Sequence, residues 1–131
     1  MMELHRAITA FWSQFTFDGE PVPAYYAGMV PEGARFPYIT FEVSGGESFA
    51  QGLATAFVWH RRKDGRSPLA MCAESLDAAE NAIPKAGKRI EVGGGFVVLY
   101  RNGSDWMSYM QDPEDRDVMG ARISCQINYY L

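Results

Sequence analysis

Near its end the chain alternates without a break. Ala121, Ile123, Cys125, Ile127, Tyr129 and Leu131 fall on one side; Arg122, Ser124, Gln126, Asn128 and Tyr130 fall on the other. Side chains along an extended strand point to opposite faces in turn, so this pattern buries one face and leaves the other polar. That is the mark of an antiparallel sheet with one face on a core. A single strand over residues 118–131 would span roughly 45 Å at about 3.3 Å per residue. So long an element in so small a chain calls for a bend or bulge, or for an end that projects to pair with a neighbour.

The rest of the chain supplies partners for that strand. Residues 38–43 alternate, with Ile39, Phe41 and Val43 against Tyr38, Thr40 and Glu42, and Ser44-Gly45-Gly46 closes them. Residues 53–61, rich in Phe57, Val58 and Trp59, read as a second strand. Residues 88–92 and 96–101 flank Gly93-Gly94-Gly95, which suits a tight hairpin needing positive φ. Residues 106–111 follow a turn at Asn102-Gly103, and a short extended piece covers 24–27. Between Val30 and Gly33, Pro31-Glu32 reads as a turn.

Two segments are helical. Leu4, Ile8, Phe11 and Phe15 recur at steps of four, three and four, which predicts an amphipathic helix over 2–15, broken by Asp18-Gly19-Glu20-Pro21. Ser67-Pro68 opens the second: a side-chain oxygen caps it, and proline takes the first helical position without losing a bond. Leu69, Cys72, Leu76, Ala79 and Ile83 form its apolar stripe, ended by Pro84 and Gly87. Few helices among runs of strands predict an α+β fold, an antiparallel sheet with both helices packed on one face. At 131 residues, with no linker or repeat, the chain reads as a single domain over 1–131.

Composition narrows the function. A formal charge of -4 and a pI near 5.1 disfavour wrapping on nucleic acid, which needs an excess of Lys and Arg. With 47% hydrophobic residues the chain fills one core and is not a disordered segment. Cys72 and Cys125 lie in apolar-periodic segments outside any CxxC pair, so both are expected as buried free thiols. The first residues lack the apolar run of a signal peptide, and nothing reaches membrane-spanning length, so a reducing cytoplasm is expected unless a larger particle carries the protein out.

Catalytic patterns fail one by one. There is no GxSxG to hold a serine at a strained turn. Cys72 could meet His5 or His60, but it sits on the apolar stripe of the second helix, where a packed thiol is expected. Histidines and cysteines are scattered, without short-spaced zinc ligands. The run Asp112-Pro113-Glu114-Asp115-Arg116-Asp117 suggests calcium, yet in one frame Arg116 takes a ligand position, and in the other Gln126 stands where a bidentate carboxylate is required. Gly93 to Gly95 lead into a strand, not a phosphate-binding helix. No catalytic, cofactor-binding or metal-binding residue is assigned.

What remains is surface. His60-Arg61-Arg62-Lys63-Asp64-Gly65-Arg66 is either a charged loop or a contact for DNA backbone or an acidic partner. Trp106-Met107-Ser108-Tyr109-Met110-Gln111 carries large side chains on both faces of a strand, and aromatic residues and Met are enriched at protein interfaces. The candidate interface residues are Arg61, Arg62, Lys63, Trp106, Tyr109, Asp112, Glu114, Asp115 and Tyr130. Two other readings stay open: a small ligand-binding or enzymatic domain with a pocket lined by Tyr25, Tyr26, Trp59 and Trp106, and a dimeric α+β protein of regulation or metabolism.

The ordered set of segments resembles a family. The amphipathic N-terminal helix leads through a Pro/Gly turn to Phe36-Pro37-Tyr38-Ile39-Thr40-Phe41-Glu42, similar to the opening strand of small phage tail-completion proteins. The strand with Trp59, the helix through Cys72 and Ala79, an Asp-rich turn and a terminal alternating strand over 122–131 follow in the same order. The triple glycine at Gly93 to Gly95 departs from that pattern. The resemblance implies a tail terminator or head–tail joining subunit of a phage or prophage. Such subunits form a ring, commonly six-membered, on the tail tube, between tail tube protein and head connector. DNA would pass through unread, and an acidic lumen would let the polyanion slide. The protein would sit in the host cytoplasm during assembly and in the virion tail afterwards. The resemblance carries over no catalytic residue.

Overall fold

The computed structural model describes residues 2–45 and 51–130. Gly46, in the expected turn after the first strand, and Leu131, at the end of the last, lie outside them. Helix α1 (Met2–Trp12) buries Leu4, Ile8, Phe11 and Trp12. It stops before residue 15 because the last turn tightens: Phe11 and Trp12 carbonyls accept from Gln14 and Phe15 amides three residues on. Phe15 is still buried. The segment Asp18-Gly19, expected only as a break, is the turn of a small hairpin, β1 (Thr16–Phe17) with β2 (Glu20–Pro21). Both turn residues have positive φ, 52° and 79°, as a two-residue hairpin favours.

The main sheet has seven strands: β3 (Ala24–Tyr26), β4 (Tyr38–Ser44), β5 (Gln51–Arg61), β6 (Lys88–Val92), β7 (Gly95–Arg101), β8 (Met107–Gln111) and β9 (Val118–Tyr130). Their order is β3-β4-β5-β9-β7-β6, with β8 also on β9. The fold is α+β, but the sheet is mixed. β3 runs parallel to β4, with Ala24 beside Ile39 and Tyr26 beside Phe41, while every other pair is antiparallel. Residues 27–37 do not make a tight hairpin. They carry the chain back to the starting end of β3, so β4 enters in the same direction.

β9 is the spine. One side pairs with β5 from Val118 to Asn128; the other is shared, β8 opposite residues 119–123 and β7 opposite 125–130. The two partners meet at Ser124, whose carbonyl accepts from Asn102 N and whose amide donates to Trp106 O, while 103–105 loop out. The length of β9 is therefore absorbed by two partners in series. Neither a bulge in β9 nor a projecting end is needed, since Tyr130 pairs with Phe96.

Both helices cover one face. Ile39, Phe41, Ala56, Val58, Val97, Leu99, Ile123, Cys125 and Ile127 form the sheet side of the core. Helix α2 (Pro68–Ala82) lies against β5, β8 and β9, and α1 reaches β3 and β6. Ser67 caps α2 by accepting from Ala70 N at 3.1 Å. At the other end Arg101 donates to the carbonyls of Ile83 and Glu80, 2.8 and 3.1 Å, satisfying groups a helix terminus leaves open. Leu69, expected on the stripe, is half exposed; the buried stripe runs through Met71, Cys72, Ser75, Leu76 and Ala79. The β6–β7 turn is made by Gly93, φ 55°, and Gly94.

Candidate functional site

Buried polar chemistry gathers at the end of β5. His60 points to the helix side, and its Nε2 shares a 2.7 Å hydrogen bond with Ser75 Oγ on α2. Burial first, then the nearby Arg66 guanidinium, push its pKa down to about 4, with Asp18 opposing them. The imidazole is thus neutral at pH 7. A serine and a histidine at this distance are what nucleophile activation requires, but Ser75 is 6% exposed and sits within a regular helix. The pair satisfies two polar groups that burial would otherwise strand. Cys72 meets neither histidine; its Sγ donates to Met119 O at 3.4 Å. Burial pushes both thiols up to about 12, Arg101 partly opposing the shift at Cys125, and both are free and buried. Among the described residues no three His, Cys, Asp or Glu side chains converge as a metal site would require.

Three of the charged candidates, Arg61, Arg62 and Asp115, form ion pairs inside the chain. Arg61 bonds Asp115 and Arg62 bonds Asp117, at 2.5 and 3.2 Å, joining the end of β5 to the turn between β8 and β9. Arg66 pairs with Asp18 and Glu74. Asp112 accepts from the amides of Glu114 and Asp115, so it shapes the turn. Asp115 is held below the usual carboxylate range by the Asp117 amide, then by Arg61. Lys63 and Glu114 remain exposed. Arg61, Arg62, Asp115 and Asp117 thus form a local latch that ties the basic run to the acidic one.

Trp106 is not a surface residue. It was expected at a subunit contact, but its indole is 6% exposed and belongs to the core, with the Arg101 guanidinium 4.7 Å from its ring centre. The alternative reading of a pocket lined by Tyr25, Tyr26, Trp59 and Trp106 finds no shared cavity among the described residues. Tyr26 borders an open groove of about 450 Å³ with Met2, Leu4, His5 and Val43. Trp59 lies on the other side of the sheet, in a shallow depression of about 260 Å³ beside Thr40 and Tyr38.

That other face is the distinctive surface. Among the described residues no helix covers it. Phe57 and Trp59 stack there at 5.3 Å, and Trp59 Nε1 donates to Thr40 Oγ1 at 2.9 Å. The indole lies flat over Gly120, where any side chain would collide with it. At the opposite end Tyr130 stacks on Phe96 at 4.9 Å, with Arg89 3.7 Å from the centre of the Phe96 ring. Tyr130 and Leu53 are each 48% exposed on this face and Met110 on β8 43%, while Tyr109, 49% exposed, stands on the helix side in register with Ala121. Of the nine expected interface residues, Tyr109 and Tyr130 are thus half-exposed aromatics. Leu53, Phe57 and Met110 share the uncovered face without being among the nine, and strict alternation within β5 already placed Leu53 and Phe57 opposite the core. No family model, curated protein or solved structure matches the chain.

Proposed function

We propose that the protein is a structural subunit of a phage or prophage tail, a tail terminator or head–tail joining protein that forms a ring on the tail tube. The observation that carries this reading is the one-sided build. Two helices close one face of the sheet, and the other presents Leu53, Phe57, Trp59 and Tyr130. Aromatic surface of this kind is enriched at protein contacts, and a ring subunit needs such surface for its neighbours. The ordered resemblance to tail-completion proteins supplies the tail. The partners are further copies of the chain, the tail tube protein and the head connector, with DNA passing through unread. A net charge of -4 suits that passage, because acidic walls do not hold a polyanion. The subunit works in the host cytoplasm during assembly and in the virion tail thereafter, in a structural role without catalysis.

Light scattering coupled to size-exclusion chromatography, over a wide concentration range, tests the reading. The expected result is a mass of several subunits, approaching six, that grows with concentration. A fixed dimer at every concentration would overturn the ring and favour a regulatory or metabolic dimer.

A further inference from the structure

We propose that neighbouring copies join edge to edge, β8 of one pairing antiparallel with β3 of the next, Tyr109 opposite Ala24. The inference rests on the ring reading above and names its seam.

Height comes first. Reading across the sheet, Tyr109 is in register with Ala121, Val58, Ile39 and Ala24, and Met107 with Ile123, Ala56, Phe41 and Tyr26. The outer edges of β8 and β3 therefore lie on the same rungs, at opposite sides of the sheet. A head-to-tail arrangement can bring β3 of one copy beside β8 of the next on these matched rungs, its rise set by the twist of the sheet. A head-to-tail contact closes into a ring only when the rise is zero; otherwise it winds into a filament.

Direction and face agree as well. β8, β9, β5 and β4 alternate, and β3 follows β4, so β8 and β3 run opposite ways. The same arrangement keeps these directions, making the new pair antiparallel with the helices on one side throughout.

Hydrogen bonding supplies the third match. Ser124 N donates to Trp106 O and Asp112 N to Val118 O. Even-numbered residues of β8 thus bond β9, and the amides and carbonyls of Met107, Tyr109 and Gln111 turn outward. On β3, Ile39 N donates to Pro23 O and Ala27 N to Phe41 O. Odd-numbered positions bond β4, and Ala24 and Tyr26 turn outward. Outward groups therefore meet outward groups at Tyr109–Ala24, and beside them the Tyr26 amide meets the Met107 carbonyl, while the Tyr26 carbonyl is already taken by Met29 N at 2.9 Å.

The edge chemistry fits too. Exposed edges are commonly guarded by charge or proline. β6 carries Lys88, Arg89 and Glu91, whereas β8 reads Met-Ser-Tyr-Met-Gln, with neither. On the helix side Tyr109 would stand beside Ala24, next to the open apolar groove at Tyr26 and His5.

Cysteine cross-linking tests the seam. Hydrogen-bonded antiparallel partners have Cα atoms about 5.5 Å apart, within disulfide reach, and the native thiols are buried. The full chain carrying Tyr109→Cys and Ala24→Cys together, mildly oxidised, should give a covalent ladder ending in one closed species on a non-reducing denaturing gel. Tyr109→Pro removes one outward N–H, which an edge position tolerates, and should raise the concentration needed for assembly roughly tenfold while the subunit stays folded. A complete dimer from Tyr109→Cys alone would mean that β8 pairs with itself, and overturns the seam. If the unaltered chain assembles while the double variant gives no ladder and Tyr109→Pro assembles normally, the seam is wrong and the ring stands. If the unaltered chain stays a single subunit at every concentration, the ring falls and the seam with it.

Discussion

His60 is enclosed at the end of β5, 1% exposed, against Ser75 and 4.6 Å from the Phe17 ring centre. Its pKa is lowered from 6.5 to about 4, by burial before the Arg66 charge. Because the folded value lies below the unfolded one, the unfolded chain takes up a proton first as the pH falls. The stability tied to neutral His60 is complete above about pH 6.5 and is lost progressively toward pH 4. At about pH 5 the unfolded imidazole is almost wholly protonated and the folded one mostly neutral. The two pKa values then put the loss at about 2 kcal/mol relative to pH 8. Urea unfolding at both pH values measures it, and with a slope of about 2 kcal/mol per molar the midpoint falls by about 1 M. The His60→Gln variant provides the subtraction, since glutamine can still bond Ser75 but does not titrate. The unaltered protein should lose about 2 kcal/mol more than the variant over this interval. Equal losses in the two, or a folded-state titration of the His60 ring near 6.5, would refute the reasoning.

Three further outcomes follow from local geometry. In Gly120→Ala the new Cβ would lie 2.9 Å from Trp59 Cζ3, so the indole must shift, and thermal unfolding should show a loss of about 1–3 kcal/mol. Ser67→Ala removes the acceptor for Ala70 N and should cost about 1 kcal/mol, read as a fall in Tm of about 4 °C. Cys72 and Cys125, both pushed up to about 12 by burial, should resist a thiol-reactive aromatic disulfide at about pH 8 until denaturant is added, when both react. Rapid labelling of either in the native protein would contradict the burial.

Short-period patterns carried most of this architecture. Alternation located β4, β5, β7 and β9 within a residue or two, and Ser67-Pro68 marked the start of α2, because each signal is local and repeats over several residues. What escaped depends on contacts between distant segments. Nothing within Ala24-Tyr25-Tyr26 says whether its neighbour runs parallel; that is decided by where residues 27–37 deliver the chain. Trp106 was legible as a large aromatic, not as a buried one, because the loop at 103–105 turns it under Arg101. His60 and Ser75 lie fifteen positions apart and meet only once α2 packs on β5. The basic and acidic runs were each visible, but their mutual neutralisation across the β5 and β8–β9 turns was not.

The parallel strand has a consequence that no antiparallel one in its place would have. Along a purely antiparallel rung the bonding direction of each residue reverses from strand to strand. Ile39 faces outward from β5, as its bond to Pro23 shows, so an antiparallel partner at Ala24 would spend its amide and carbonyl on Ile39. In the parallel arrangement Ile39 bonds instead to the residues flanking Ala24, and the backbone of Ala24 is turned outward. The departure from the expected antiparallel sheet thus equips the outer edge at the height where Tyr109 faces outward on β8. One irregular pairing, set by the length and course of residues 27–37, gives the two sides of the sheet complementary edges, and complementary unlike edges are what a head-to-tail assembly requires.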